Sequence, residues 1–356
     1  MDDRDALLTR IYVRGDRLRF RRRVLGAVAA VVAGVCVLVA LFASAASGRR
    51  GVRVEFEPNH APVSSSTTTV PEVLFRQPPW PCQAADPTPS LRPAGSLPTR
   101  GAMPPGSFTQ RIHARGYLVV GVDQDAVGFA HRIAKGQPTG FDIDLAREIA
   151  RAIFGNPDAI VFRSLTSAQR IPAVANGEVD IVADLLSITC SRWQQVDFTT
   201  PYYLAHQGLL VRADSPIRSI LDLGDKRVCA IAGSASIADV TSPAAAPNAH
   251  IVTAAQRSDC LLALQQGAVD AITNDDTILA GLQTGSSVPT RLLPARLEPE
   301  PYGMAIARSH SDFVRFVNAV LERLRATGQW SRLVNQDVVD PLHLPPQAPT
   351  PPEYRP

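Results

Sequence analysis

The side chains best able to do chemistry near neutral pH are scattered along this chain. Seven histidines stand at positions 60, 113, 131, 206, 250, 310 and 343, with no i, i+4 pair and no nearby cysteine, so neither metal catalysis nor a histidine base follows from spacing. The chain has no Walker-A loop, no GxGxxG after a strand, no HExxH and no GxSxG. What remains are arginines and aspartates in short polar phrases: Thr166-Ser-Ala-Gln-Arg-Ile-Pro172, Ser187-Ile-Thr-Cys-Ser-Arg192, and Asp275-Asp276 after Asp270-Ala-Ile-Thr-Asn274. The planar arginine fork bonds carboxylates in a bidentate way. A buried charge left unpaired costs several kcal/mol.

These phrases lie within a regular α/β region from about 107 to 338. Strands are expected at 118–123, 159–165, 179–185, 207–212, 227–231 and 270–274, and helices at 144–154, 168–176, 260–266 and 277–284. The helix at 144–154 has Leu145, Ile149, Ala150 and Ile153 on one face and Gly155 as its stop. A long amphipathic helix at 311–327 closes the region. Strands alternating with helices imply parallel sheets covered on both faces, with ligands at the carboxyl ends of strands.

The 356 residues, 45% hydrophobic and 19% charged, suit two lobes of ordinary size and exclude a wholly disordered chain. The net charge of +3 is uneven: residues 1–23 hold eight arginines against four aspartates, which leaves −1 for the rest. That argues against a nucleic-acid-binding body, which needs a basic face. Residues 24–46 carry no charge, and about 20 apolar residues cross a bilayer core. Eight arginines before this run, against Arg49, Arg50 and Arg53 after it, predict a single-pass transmembrane helix with a cytoplasmic N-terminus (1–23) and an extracytoplasmic body. A cleaved signal peptide is the alternative, although its apolar region runs only about 7–15 residues. Cys36 then reads as a buried apolar residue of the membrane helix. Residues 47–106, rich in Pro, Ser and Thr, read as a stalk, and 339–356 as a Pro-rich tail. Four cysteines lie beyond the apolar run, the even number that paired disulfides require on an oxidising side. Four allow three pairings. The order of elements favours Cys229 with Cys260 and Cys82 with Cys190, and four buried free thiols are the alternative.

From Gly140-Phe-Asp-Ile-Asp-Leu145 onward the chain resembles the extracytoplasmic solute-binding proteins of polar amino acid ABC transporters, family 3. The likeness continues through Val179-Asp-Ile-Val182, Ser187 to Arg192, Val196-Asp-Phe-Thr-Thr-Pro-Tyr-Tyr203, Asp222 to Val228, Gly267 to Asp276, Tyr302-Gly-Met-Ala-Ile-Ala307 and Thr327-Gly-Gln-Trp330. The arrangement is most similar to the glutamate/aspartate-binding branch of actinobacterial type. The resemblance implies a two-lobed, type 2 periplasmic-binding-protein-like α/β fold. Residues 107–204 and 301–338 would form lobe one and 205–300 lobe two, with two hinge crossovers near 205–206 and 298–301.

The resemblance also implies roles. Arg192 would clamp the α-carboxylate of an amino acid, helped by Ser187 and, from lobe two, by Ser234. Asp275 would bind the α-ammonium, leaving Asp276 to cap the next helix. Ser167 and Arg170 would hold a side-chain carboxylate. Asp123 would stand near the ligand amine. Three positions depart from the pattern: Ala126 in place of an aromatic lid, Leu185 where relatives carry Gly, Ser or Thr, and Ile231 where some carry a basic residue. Lobe two thus looks poor in polar contacts. Asp142 and Asp144 read as favouring the positive end of a helix.

The expected protein is therefore a membrane-anchored receptor for L-glutamate or L-aspartate that delivers to an ABC permease. It would be a monomer, without metal or cofactor, and not an enzyme, since no spare acid stands where a general acid belongs. The alternatives are a sensor that reports occupancy to a membrane signalling partner, and a glutamine-preferring binder.

Overall fold

The computed structural model describes residues 87–98, 102–132, 137–243, 245–246 and 248–355, with backbone only at 295–298. The expected membrane span at 24–46, the cytoplasmic segment, the first part of the stalk and Cys82 lie outside the described residues. Among the described residues no helix is long and apolar enough to cross a membrane.

Two five-stranded sheets form the body. The strands, in chain order, are β1 (Leu118–Val122), β2 (Ile160–Ser164), β3 (Ile181–Val182), β4 (Asp197–Phe198), β5 (Tyr203–Arg212), β6 (Arg227–Ile231), β7 (His250–Ala254), β8 (Ala271–Asp275), β9 (Thr290–Tyr302) and β10 (Ala305–Ile306). The lobe-one sheet has the order β2-β1-β3-β10-β4 and the lobe-two sheet β7-β6-β8-β5-β9. In each, a parallel core of three strands is extended by antiparallel neighbours. The helices are α1 (Phe108–Arg115), α2 (Phe141–Phe154), α3 (Arg170–Ala175), α4 (Cys190–Trp193), α5 (Ser236–Val240), α6 (Arg257–Gln265), α7 (Asp276–Thr284), α8 (Ser311–Ala326) and α9 (Gln329–Val334).

Strands β5 and β9 pass between the lobes as one paired ribbon. Their register runs from Arg212 opposite Thr290 in lobe two to Tyr203 opposite Tyr302 in lobe one, with an irregularity between Pro294 and Pro299. Tyr203 and Tyr302 are fully buried at the lobe-one end and stack with ring centroids 5.9 Å apart. Phe129, Phe141 and Trp330 complete this aromatic floor. Each such ring contributes about 2 kcal/mol or more by leaving water.

Local chemistry accounts for the element bounds. Helix α2 begins before the expected 144, at Phe141. Gly140 precedes it at φ 123°, and Asp142 and Asp144 lie in its first turn, where the helix dipole favours them. Gly155, at φ 72°, ends it. The strand expected over 179–185 is only Ile181–Val182, because the chain turns toward the cleft at Leu185, whose φ is 42°. The Cys229–Cys260 disulfide is present, joining β6 to α6. Cys190 is also disulfide-bonded.

The stretch read as a tail packs against the body. Tyr354–Arg355 pairs in parallel with Ser90–Leu91, Arg355 meets Asp197 at 2.7 Å, and the Gln347 amide donates to the Leu204 carbonyl at 2.7 Å. Asn318 Nδ2 donates to Ser90 Oγ at 2.9 Å and to the Leu91 carbonyl at 2.7 Å, holding the end of the stalk on α8. A Pro-rich composition hid these contacts, since it predicts extended backbone and not where that backbone lies.

Candidate ligand-binding site

The two lobes meet over a narrow polar pocket of about 10 Å³, lined from lobe one by Ser167, Arg170, Leu185, Ser187 and Arg192 and from lobe two by Ser234, Arg257 and Asp275, among others. Six of the seven expected ligand contacts are thus brought to one place by four separate stretches of chain. Arg170 opens α3 and Arg192 lies on α4, while Asp275 ends β8 at its carboxyl end.

Arg192 is buried. Its Nη1 donates to the Ser187 carbonyl at 2.8 Å and its Nη2 to the Gly233 carbonyl of lobe two at 3.1 Å. Carbonyl oxygens do not neutralise a cation, and Arg192 takes part in none of the salt bridges among the described residues. Burial, then the repulsion of Arg170, lowers its pKa to about 10. Two guanidinium groups so placed favour an anion between them.

Arg170 is also buried. Its Nε donates to the Ser167 carbonyl at 3.1 Å and its Nη1 to the Asp184 carbonyl at 2.8 Å. The Asp184 carboxylate lies 3.9 Å from the same Nη1, and neither of its oxygens has a hydrogen-bond partner. Complete burial pushes Asp184 well above the usual carboxylate range, against the pull of Arg170. Burial thus disfavours the charged form of the carboxylate nearest Arg170.

Asp275 leaves the capping of α7 to its neighbour. Asp276 Oδ1 accepts from the Thr277 N–H at 2.8 Å, whereas Asp275 accepts from the Tyr302 hydroxyl. Burial, then the nearby Glu300, raises Asp275 to about 7. Ser234 Oγ is buried without a partner. Gly233 before it, at φ 83°, lies so close to lobe one that a Cβ there would sit 2.7 Å from Ala168 Cα.

Asp123, the seventh expected contact, is engaged by Arg257 in this structure. It does not line the cavity. Its carboxylate is ion-paired with the guanidinium of Arg257 and accepts the N–H groups of Gln124 and Asp125. Burial would raise this carboxyl, but Arg257 and the Asp125 bonds hold it well below its usual range. Asp142, read as a helix-start residue, also reaches across to accept the Leu185 N–H at 2.9 Å and so holds that backbone in its left-handed turn.

Arg257 is the functional candidate that sequence reasoning missed. It sits just beyond β7, at a strand's carboxyl end, and the positional logic that singled out Asp275 would have found it. It supplies lobe two with the basic group that Ile231 does not.

Two sheets joined by a ribbon and closed over a charged cavity define a solute-binding architecture. The chain belongs to the bacterial extracellular solute-binding proteins, family 3, which it matches over residues 118–336, and it is a binding protein, not an enzyme. It is 33% identical over 218 residues to the ABC transporter glutamine-binding protein of Bacillus subtilis (strain 168), covering 61% of this chain and 79% of that one. It is 32% identical over 235 residues to the glutamate-binding protein of Corynebacterium efficiens, covering 63% and 79%. The solute receptor for L-cysteine of Neisseria gonorrhoeae shares the fold, with a TM-score of 0.63 at 23% identity over 67% of this chain and 98% of that one.

Proposed function

We propose that this chain is a membrane-anchored extracytoplasmic receptor that captures L-glutamate or L-aspartate between its lobes and delivers it to an ABC permease. The observation that carries the reading is the placing of Arg170 and Arg192 on one cavity with Asp275. Arg192 clamps the α-carboxylate with Ser187 and Ser234. Asp275 takes the ammonium, and Arg170 with Ser167 takes the side-chain carboxylate. A glutamine- and a glutamate-binding protein among the relatives support the class of ligand. Residues 24–46 are the anchor in this reading.

Isothermal titration of the full chain with Glu, Asp, Gln and Asn tests it. We expect a Kd near micromolar, about −8 kcal/mol, for an acidic ligand. Absence of heat with all four would end the reading. One observation favours a neutral ligand instead: Asp184 lies 3.9 Å from Arg170, and in its ionised form it would leave Arg170 suited to an amide oxygen. A preference for Gln or Asn would select that alternative.

A further inference from the structure

We propose that Arg257 couples ligand capture to closure of the lobes, holding the ligand's side-chain oxygen with one part of its guanidinium and lobe one with another. Arg257 is the first residue of α6 in lobe two. Its Nη1 is paired with Asp123 and, at 3.1 Å, with Asp125 Oδ1, both of which follow β1 in lobe one. The Asp125 carboxylate also accepts the backbone N–H of Arg257 at 2.9 Å and that of Ser258 at 3.3 Å, so it meets the open end of α6 as well as the side chain. The partners are 132 and 134 residues apart in sequence and belong to different lobes. In this structure they run from one lobe to the other. Asp123 is oriented beforehand by the N–H groups of Gln124 and Asp125.

The same arginine lines the ligand cavity beside Arg170 and Arg192. Its Nε is buried without a hydrogen-bond partner, an expensive state for a guanidinium N–H. A carboxylate or amide oxygen of the ligand supplies the missing acceptor. The nature of that oxygen rests on the proposed function, whereas the latch to Asp123 and Asp125 does not.

The test uses the full chain with Cys36→Ser and nitroxide labels at Val161→Cys in lobe one and Leu221→Cys in lobe two, both exposed positions. The interlobe distance distribution is measured by pulsed electron resonance, with and without each of the four amino acids. Asp125→Asn and Arg257→Gln are expected to lower the closed fraction relative to the parent. Asp125→Asn should also speed the dissociation of any bound amino acid by roughly fivefold without changing the rank order of ligands. Arg257→Gln should change the rank order as well. Distance distributions that are identical in the parent and both variants overturn the latch, whether or not any of the four ligands binds. A rank order unchanged in Arg257→Gln overturns the ligand contact. Heat from none of the four ligands, with a closed fraction that still falls in the variants, sinks the acidic-ligand reading alone and leaves the latch supported.

Discussion

Arg192 of lobe one donates to the carbonyl of Gly233 in lobe two at 3.1 Å, so the residue proposed to grip the ligand's α-carboxylate also bridges the cleft. Binding and closure meet at one guanidinium. Because its other protein bond is also to a carbonyl, its charge is left for the ligand to neutralise.

Replacing Arg192 should therefore change stability and binding in opposite directions. Arg192→Met removes a buried cation that has no carboxylate partner, and should stabilise the unliganded chain by about 1–3 kcal/mol, read as a higher Tm. The same change should weaken amino acid binding by at least about 3 kcal/mol, because the ligand carboxylate loses its counterion. Calorimetric melting and titration on one preparation check both signs.

Gly233→Ala should leave the fold largely intact and impair closure. Its φ of 83° and the 2.7 Å approach of a Cβ to Ala168 Cα mean that the closed backbone has no room for a methyl group. The left-handed conformation alone costs a non-glycine residue roughly 1–2 kcal/mol. The expected result is affinity reduced at least about tenfold. An unaltered Kd would contradict the tight approach of the lobes.

The raised Asp275 gives a pH dependence with a defined sign. Its carboxyl sits at about 7 when folded, against an ordinary 3.8, because of burial and Glu300. The folded state thus keeps a proton that the unfolded state has already lost. This contribution to unliganded stability is complete below about pH 4 and is lost as the pH rises through about 7. Holding an ammonium needs the ionised form, so binding near pH 6 should release a proton, visible as buffer-dependent heat that fades above about pH 8. Glu300→Gln should move this midpoint to lower pH.

Leu185→Gly should relieve a backbone turn held at φ 42° while taking a buried side chain out of the cavity. Glycine adopts that φ without penalty. Titration should show affinity for Glu rising relative to Asp, since the longer ligand gains the space. A fixed Glu-to-Asp ratio would show that Leu185 does not limit ligand length.

Much of this site could be read from sequence because its residues sit in local motifs. Arg170, Arg192 and Asp275 each belong to a short phrase or strand end whose place in the fold follows from the phrase itself, and the strand at 227–231 was bounded by its own apolar run. Arg257 could not be read that way. Its surroundings are set by Asp123 and Asp125 across more than a hundred residues, and no local pattern marks an arginine at a helix start as one that crosses a cleft. The ion pair of Asp123 is hidden from sequence for the same reason, since its partner lies far along the chain. The pairing of Tyr354–Arg355 with Ser90–Leu91 joins two proline-rich stretches that have no periodicity to read.

The ribbon of β5 and β9 contains Pro294, Pro299 and Pro301 in one strand, opposite Gly208, His206 and Leu204 in the other. Each proline lacks an N–H to give to the ladder. At Pro301 the carbonyl turns away from β5 to accept the Ile188 N–H, and at His206 the N–H turns away from β9 to Asp276, so these prolines cost the ribbon no bond; they fix φ instead and leave the irregular stretch between Pro294 and Pro299 to take up the bend as the cleft opens.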